Sequence, residues 1–154
     1  MSDKKEKNEK VEKIIISACL LGQKCRYDGN HKKSGEITKL ADKFKLIPFC
    51  PESLGGLPIP RPPAEIDTGD GISVLDGKSK ILDKSGKDVT SNFIEGAKKS
   101  LQIAKKYQVK RVFLKSKSPS CGVTTIIRKG NQIKGSGVTA ALLYQNGFFL
   151  EEFD

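Results

Sequence analysis

Apolar runs that suit β-strands alternate with helical segments along most of this chain, and this alternation limits the fold more than any other feature. Residues 14–16 are consecutive isoleucines, which is typical of a strand buried on both faces of a parallel sheet. Apolar residues spaced by three and four predict a helix over residues 90–107. The β-α-β-α-β-α-β order predicts an α/β fold: a single open, mostly parallel sheet with helices on both faces, in a Rossmann-like three-layer arrangement.

The other predicted elements are short. Three further strands cover residues 45–49, 111–114 and 148–150, and two further helices cover residues 36–44 and 138–145. Residues 124–133 predict a hairpin whose turn is Gly130-Asn131. The Pro- and Gly-rich residues 50–66 predict an ordered loop, and residues 72–89 predict an irregular excursion from the sheet.

Length and composition indicate a single domain. A chain of 154 residues with 36% hydrophobic residues can build one core. No apolar run approaches the ~20 residues that a membrane-spanning helix needs, and none resembles a secretory signal. We therefore expect a cytoplasmic protein whose thiols stay reduced. Residues 1–13 alternate Lys with acidic residues and predict a disordered charged tail, ahead of one domain over residues 14–154.

The chain is basic, with 28 Lys and Arg residues against 18 Asp and Glu residues and a formal net charge of +10. Such a charge can attract nucleic acid or anionic small molecules. Most of the excess is Lys, and aromatic residues make up 6% of the chain, so bidentate base contacts and stacking platforms are scarce. A solvated Lys-rich surface is favoured over a nucleic-acid interface.

Three cysteines follow three different predicted strands. Cys19 comes after the first strand, Cys50 after the second, and Cys121 in the loop after the third. The carboxyl ends of parallel strands meet at one edge of the sheet, so these thiols should converge there. Each cysteine has Pro, Gly or polar neighbours, which favours a shared site over separate structural cysteines. Ser118 and Ser120 can donate hydrogen bonds to a sulfur or an oxygen beside Cys121.

The spacing of the cysteines leaves the kind of site open. A structural zinc ion takes four ligands, and Cys25 could be the fourth, although the sequence has no Cys-x2-Cys knuckle. An iron–sulfur cluster on three thiolates would leave one iron to bind a substrate as a Lewis acid. A lone nucleophilic cysteine would need a base, and His31 is the one histidine of the sequence. The turn-like residues after Cys25 favour a structural or free role for it.

Charged residues near the cysteines suggest further chemistry. Glu52 lies two residues after Cys50, where a carboxylate can act as a general base or acid. It could instead form a surface salt bridge or be a helix N-cap partner. Arg61 lies in a stiff Pro-rich segment. It either holds an anionic or carbonyl group or braces its loop by pairing with Glu65, and we favour bracing.

Longer motifs carry a resemblance to a known family. They are Ser-Ala-Cys-Leu-Leu-Gly at 17–22, Cys-Arg-Tyr-Asp-Gly at 25–29, Cys-Pro-Glu at 50–52, Gly-Gly-Leu-Pro at 55–58, Arg-Pro-Pro-Ala-Glu at 61–65, Gly-Lys-Asp-Val-Thr at 86–90, Lys-Ser at 115–116, Ser-Pro-Ser-Cys-Gly at 118–122 and Gly-Ser-Gly-Val-Thr-Ala-Ala-Leu-Leu at 135–143. With these motifs, from about residue 14 to the C-terminus, the chain resembles the thiouracil desulfidase (TudS) family, formerly a domain family of unknown function.

The resemblance implies an enzyme that carries a [4Fe-4S] cluster on three cysteines, which fall on Cys19, Cys50 and Cys121. The family's catalytic acidic residue falls on Glu52, and its catalytic serine falls on Ser118. The implied reaction is a non-redox desulfidation of a thiolated nucleobase or similar thioamide, for example thiouracil to uracil plus hydrosulfide. The implied partners are a small thionucleobase and the cluster-assembly machinery.

Two other functions stay open as hypotheses. One is a sulfur-handling enzyme that acts on thiolated tRNA, which the basic charge would favour. The other is a zinc-binding structural or RNA-binding module, because four cysteines could close a zinc site. Iron with acid-labile sulfide, against zinc alone, separates the module from the enzymes. Competition by tRNA separates the two enzymes.

Overall fold

The structure is a computed structural model, and it describes residues 11–22 and 35–154. The strands are β1 (Lys13–Ser17), β2 (Lys45–Phe49), β3 (Ala64–Ile66), β4 (Ile81–Asp83), β5 (Arg111–Lys115), β6 (Thr125–Arg128), β7 (Asn131–Lys134) and β8 (Phe149–Phe153). The helices are α1 (Gly35–Leu40), α2 (Pro51–Leu54), α3 (Gly71–Leu75), α4 (Thr90–Lys106) and α5 (Val138–Gln145), with a 3-10 turn at Ala18–Leu21. Cys25, His31 and residues 1–10 of the predicted tail lie outside the described residues.

Four parallel strands form the main sheet, in the order β2-β1-β5-β8. β1 is an inner strand, since Ile15 lies opposite Ile47 of β2 on one side and Val112 of β5 on the other. The predicted open parallel sheet is therefore confirmed. Two antiparallel pairs, β3-β4 and β6-β7, form small additional sheets that the single-sheet prediction did not include.

Helices cover both faces of the main sheet. Because side chains alternate along a strand, neighbouring residues of β1 enter different cores. Ile15 shares a buried core with residues of α4 and α5, among them Leu143. Ile14 and Ile16 share another core with Ile37 of α1. This arrangement confirms the predicted three-layer architecture.

The two longest helices match the sequence prediction closely. α5 has the predicted bounds, and α4 ends one residue before the predicted end. The buried face of α4 is formed by small and apolar residues: Phe93, Gly96, Ala97, Ser100 and Ala104. Within residues 11–22 and 35–154, no helix is both long and apolar enough to cross a membrane.

The Pro- and Gly-rich stretch after β2 contains more regular structure than predicted. α2 and β3 lie within the predicted loop. β4 lies within the predicted excursion, and α3 begins one residue before it. α2 packs closely on α4, because a Cβ atom on Gly96 would overlap the Pro51 carbonyl oxygen and one on Gly55 would overlap the Asn92 carbonyl oxygen. Asp70 forms a capping box with Ser73 at the start of α3. These short elements depend on contacts with other segments, which local patterns do not reveal.

The predicted β6-β7 hairpin is present, with its turn one residue earlier than expected. Arg128 lies opposite Asn131, so Lys129 and Gly130 form the turn. Both residues have positive φ, 52° for Lys129 and 77° for Gly130, as a two-residue turn of type I′ requires. Asn131 belongs to β7, because the strand register continues through it.

Candidate functional site

Three cysteines of the described chain lie around one cavity at the carboxyl edge of the main sheet. Cys19 lies in the 3-10 turn after β1, Cys50 directly follows β2, and Cys121 lies in the loop after β5. All three line a cavity of about 640 Å³. Cys19 and Cys121 are free thiols. The structure thus brings together the residues that strand order predicted to converge.

Short helical turns present Cys19 and Cys50 to the cavity. Gly22 ends the turn that carries Cys19: its φ is 92°, and its N–H donates to the Cys19 carbonyl oxygen at 3.2 Å. Cys50 is the N-cap residue of α2, and its carbonyl oxygen accepts the N–H of Leu54 at 2.9 Å. Pro51 occupies the start of α2, where its fixed φ suits the first helical turn. Both thiols therefore have fixed backbone positions.

The loop that carries Cys121 is held from two sides. Ser118 Oγ accepts the backbone N–H groups of Ser120 at 3.1 Å and of Cys121 at 3.0 Å. The start of α5 binds the same loop, where the N–H of Ala140 donates to the Ser120 carbonyl oxygen at 3.1 Å. Gly137 allows this approach, because a Cβ atom there would overlap the Ser120 backbone. These hydrogen bonds therefore fix the backbone of the loop that carries the Cys121 thiol.

Burial changes the acidity of Cys121. The pKa of this thiol is raised from 9.0 to about 12, and burial is the largest cause. Hydrogen bonds with Ser17 and Ser120 oppose the rise, and the nearby Cys50 and Glu52 contribute to it. The Ser120 hydroxyl lies 3.7 Å from the Cys121 sulfur. Without a metal the thiol is protonated at neutral pH, so a metal that binds it has to displace a proton.

Glu52 lies on the cavity wall with both carboxylate oxygens held by side chains. Arg61 Nε donates to Oε1 at 3.0 Å, and Ser120 Oγ donates to Oε2 at 3.0 Å. The side chains of Arg61 and Glu52 are 5% and 17% exposed. Glu52 therefore forms an internal ion pair and not the surface salt bridge that the sequence left open. Its position beside the cavity suits a general acid or base.

Arg61 braces its loop through partners other than the one predicted. The sequence favoured a pair with Glu65, whereas Arg61 Nε binds Glu52 and Nη1 donates to the Pro58 carbonyl oxygen at 3.0 Å. Glu65 accepts the backbone N–H of Lys129 at 3.0 Å. The difference arises because the segment between α2 and β3 folds back onto α2, which brings Arg61 to Glu52.

Ser118 lines the same cavity, but its hydroxyl oxygen is already hydrogen-bonded within its own loop. Two backbone N–H groups occupy the lone pairs of Ser118 Oγ, and the Ser120 hydroxyl oxygen lies 3.0 Å away. A hydroxyl oxygen accepts two hydrogen bonds and donates one. The structure therefore brings Ser118 to the site and assigns its hydroxyl oxygen a local structural contact.

The sequence analysis missed a polar group at the other end of the cavity. Lys115 Nζ donates to Ser116 Oγ at 3.3 Å, and Ser116 Oγ donates to Asp154 Oδ1. All three side chains line the cavity. They lie at the ends of β5 and β8, whereas Cys50 and Cys19 follow β2 and β1. The strand-end rule could have found Asp154, but the predicted last strand stopped at residue 150.

The thiols surround the cavity without meeting at one point. Within residues 11–22 and 35–154, no three His, Cys, Asp or Glu side chains are arranged to hold a single metal ion. A closed zinc site needs four ligands around one point, whereas each thiolate of a [4Fe-4S] cluster binds its own iron. Three thiols that line one cavity are a donor set that suits a [4Fe-4S] cluster.

Three thiols and a fixed carboxylate lie around one cavity at the carboxyl edge of the α/β sheet. This arrangement defines a class of protein that can hold a thiolate-ligated cofactor beside a general acid or base. Within that class, residues 14–152 match the family model of 2-thiouracil desulfurase. The chain belongs to the 2-thiouracil desulfurase family. The family prediction made from the motifs is confirmed.

Two similar proteins extend the comparison. "Uncharacterized protein YbbK" of Bacillus subtilis (strain 168) is 50% identical over 138 residues, which is 88% of this chain and 91% of that protein. A solved structure named [4Fe-4S]-dependent thiouracil desulfidase TudS is 40% identical. The alignment covers 92% of this chain and 90% of that chain, with a TM-score of 0.79. This similarity agrees with the α/β fold described above.

Proposed function

We propose that this chain is a [4Fe-4S]-dependent thiouracil desulfidase that converts thiouracil and water to uracil and hydrosulfide, without net redox change. The observation that carries the proposal is the arrangement of Cys19, Cys50 and Cys121 around one cavity, with Glu52 on its wall. Membership of the 2-thiouracil desulfurase family supports it, as does the similarity to a structure named [4Fe-4S]-dependent thiouracil desulfidase.

Cys19, Cys50 and Cys121 are the proposed cluster ligands. The turns at Cys19 and Cys50, and the braced loop at Cys121, fix the backbone that carries the three sulfurs. When bound, the cluster supplies a Lewis acid, because three thiolates leave one iron without a protein ligand. Cys25 is not needed as a ligand in this arrangement.

Glu52 is the proposed general base. Water supplies the oxygen that replaces sulfur on the ring carbon, and Glu52 takes a proton from that water as it attacks. Arg61 and Ser120 each fill one acceptor position on the carboxylate, and a carboxylate has about four such positions. Acceptor positions therefore remain for the water. Glu52 then returns the proton to the products.

We propose that the polar group of Lys115, Ser116 and Asp154 contacts the part of the thiouracil ring that lies away from its sulfur. Thiouracil presents N–H donors and a carbonyl acceptor besides its sulfur. The Lys115 ammonium can donate to the carbonyl oxygen, and the Asp154 carboxylate can accept from an N–H group. A small planar ring along the sheet edge would then contact this group while its sulfur points toward the cysteines.

The setting of the enzyme forms part of the proposal. The chain works in the cytoplasm, where thiols stay reduced, and the cluster-assembly machinery loads its cofactor. The substrate is a free thionucleobase rather than thiolated tRNA. Inhibition of thiouracil turnover by unmodified tRNA at low micromolar concentration would contradict this substrate class and favour the tRNA-acting alternative.

The test is metal analysis and turnover of cysteine variants. The protein is purified without oxygen, its iron and acid-labile sulfide are measured, and uracil formation from thiouracil is assayed. Cys19→Ala, Cys50→Ala and Cys121→Ala should each lose iron, sulfide and turnover, because each removes one of three ligands. Cys25→Ala is the matched control and should keep all three.

Two outcomes would contradict the proposal. If the wild-type protein contained zinc and no acid-labile sulfide, its site would hold a structural metal and not a cluster. Loss of the cluster in Cys25→Ala would make Cys25 a fourth ligand, and no iron would then be left open for substrate.

A further inference from the structure

We propose that Ser120 is a positioning residue that links Ser118 to Glu52 in a one-way hydrogen-bond chain. This inference rests on the proposed function, because it concerns the carboxylate that acts as general base. The chain runs along three side chains on the cavity wall, with 3.0 Å between Ser118 Oγ and Ser120 Oγ and 3.0 Å between Ser120 Oγ and Glu52 Oε2.

Counting donors and acceptors fixes the direction of the chain. Ser118 Oγ accepts the N–H groups of Ser120 and Cys121, at 3.1 Å and 3.0 Å, which uses both of its lone pairs. Its proton must therefore be donated, and Ser120 Oγ is in reach. Ser120 Oγ accepts this bond and has one proton to donate. The Glu52 Oε2 atom, an ionised acceptor at 3.0 Å, takes that proton in preference to the Cys121 sulfur at 3.7 Å.

The chain gives Glu52 a second anchor beside Arg61. Arg61 Nε fixes Oε1, and Ser120 Oγ fixes Oε2, so the plane of the carboxylate is set by two donors from different segments. A hydrogen bond between the two serines also strengthens the bond that Ser120 donates, because linked hydrogen bonds polarise one another. Ser118 therefore influences Glu52 without touching it.

The chain orients Glu52 but does not carry its proton away. A proton that left Glu52 through Ser120 would need a free lone pair on Ser118 Oγ, and both are occupied by backbone N–H groups. The proton that Glu52 takes from water must therefore return through the cavity to the reacting groups. Ser118 and Ser120 thus affect the orientation of the Glu52 carboxylate, and they do not transfer its proton to another group.

The test combines single and double variants with kinetics. Ser120→Ala should keep its iron and sulfide and its KM within about twofold, while kcat falls by about tenfold or more, because a hydrogen bond to a charged group is lost. Ser118→Ala should also lower kcat. Measured per bound cluster, so that any effect of the loosened Cys121 loop on iron content is removed, Ser118→Ala added to Ser120→Ala should cause no further loss of kcat, since residues that act as a unit are not additive. Ser79→Ala, a buried serine paired with Thr68, is the matched control.

Hydrogen exchange gives a readout that does not depend on turnover. Ser118→Ala removes the acceptor of the Ser120 and Cys121 amides, so these two amides should exchange faster in the cluster-free protein. Ser120→Ala leaves that acceptor in place, so the Cys121 amide should keep its protection. Faster exchange of the Cys121 amide in Ser120→Ala would overturn the assignment of the two serines.

Other outcomes separate this inference from the proposed function. Wild-type kcat in Ser120→Ala, or losses in the two single variants that multiply in the double variant, would overturn the chain. Loss of iron and sulfide in Ser120→Ala would show that the Ser120 hydroxyl acts on the Cys121 sulfur, 3.7 Å away. That result would also overturn the proposed hydrogen-bond chain. Absence of turnover in the iron-loaded wild-type protein would instead contradict the proposed function.

Discussion

Two neighbouring side chains set the orientation of the Glu52 carboxylate. Its oxygens accept from Arg61 on one side and from Ser120 on the other, and the Arg61 guanidinium is almost completely buried. A buried charge needs a partner of opposite charge, since the desolvated group is otherwise strongly destabilising. Glu52 therefore has two functions: it balances Arg61 within the fold, and it faces the reacting water in the proposed mechanism.

Replacement of Glu52 by Gln should separate these two functions. Glu52→Gln keeps the shape of the side chain but cannot exchange a proton, so kcat should fall by about 10²–10⁴-fold. Iron and sulfide should stay bound, since Glu52 is not a proposed ligand. The melting temperature should also fall, because Arg61 loses its countercharge. Glu95→Gln on the exposed face of α4 is the control, and wild-type kcat in cluster-loaded Glu52→Gln would remove Glu52 from the mechanism.

Glu12 gives a pH-dependent prediction far from the cavity. Its carboxylate accepts two hydrogen bonds from Arg111, both at 2.9 Å, and this contact lowers the pKa of Glu12 from 4.5. A lowered pKa in the folded state adds stability at a pH above 4.5, and this stability is lost as the pH falls through the lowered value.

Urea unfolding of Glu12→Gln tests this contact. At neutral pH the variant should be less stable than the wild-type protein by about 0.2–1 kcal/mol, since the pair is partly exposed. The difference should disappear in acid, below the lowered pKa of Glu12. A difference that stays constant across this range would mean that the carboxylate charge does not contribute.

At the scale of elements, the contact between α2 and α4 positions the Cys50-Pro51-Glu52 segment. Gly96→Ala should destabilise the protein by about 1–3 kcal/mol, because its Cβ atom would overlap the Pro51 carbonyl oxygen. The iron content should fall as well, since α2 must shift and Cys50 is its N-cap residue. Lys98→Ala, at an exposed position of the same helix, should leave stability and iron content unchanged.

Strand order carried most of the successful prediction. The sequence predicted the main sheet, the bounds of α5 and the meeting of three cysteines at one edge, because these follow from periodicity and from the geometry of parallel strands. It did not predict α2 and β3, since Pro- and Gly-rich segments take their shape from distant partners such as α4. For the same reason it paired Arg61 with the wrong carboxylate, because the approach of Arg61 to Glu52 requires the folded loop. The roles of the cysteines, Glu52 and Ser118 stay predictions until the variants are measured.

For the whole molecule, the charged N-terminal segment should be dispensable. Its Lys and acidic residues nearly cancel, and it offers few apolar side chains to a core. Glu12 and Lys13 are part of the folded unit, since Glu12 binds Arg111 and Lys13 begins β1. A chain that starts at Val11 should therefore keep its melting temperature and turnover. A large fall in melting temperature, or a change in sedimentation, would show that the removed residues dock on the protein or on a second copy.

The hydrogen bonds between α5 and the Cys121 loop have a consequence for the proposed cluster when oxygen damages it. Oxygen destroys exposed iron–sulfur groups, and a protein that unfolded each time would have to be made again. Here the sulfur-bearing loop is fastened by Ala140 and Ser118, and these bonds do not depend on iron. Under the proposed function, a protein that has lost its cluster would therefore keep the backbone of this loop in place. Under the proposed function, activity would then return when a cluster is reinserted, without new synthesis of the chain.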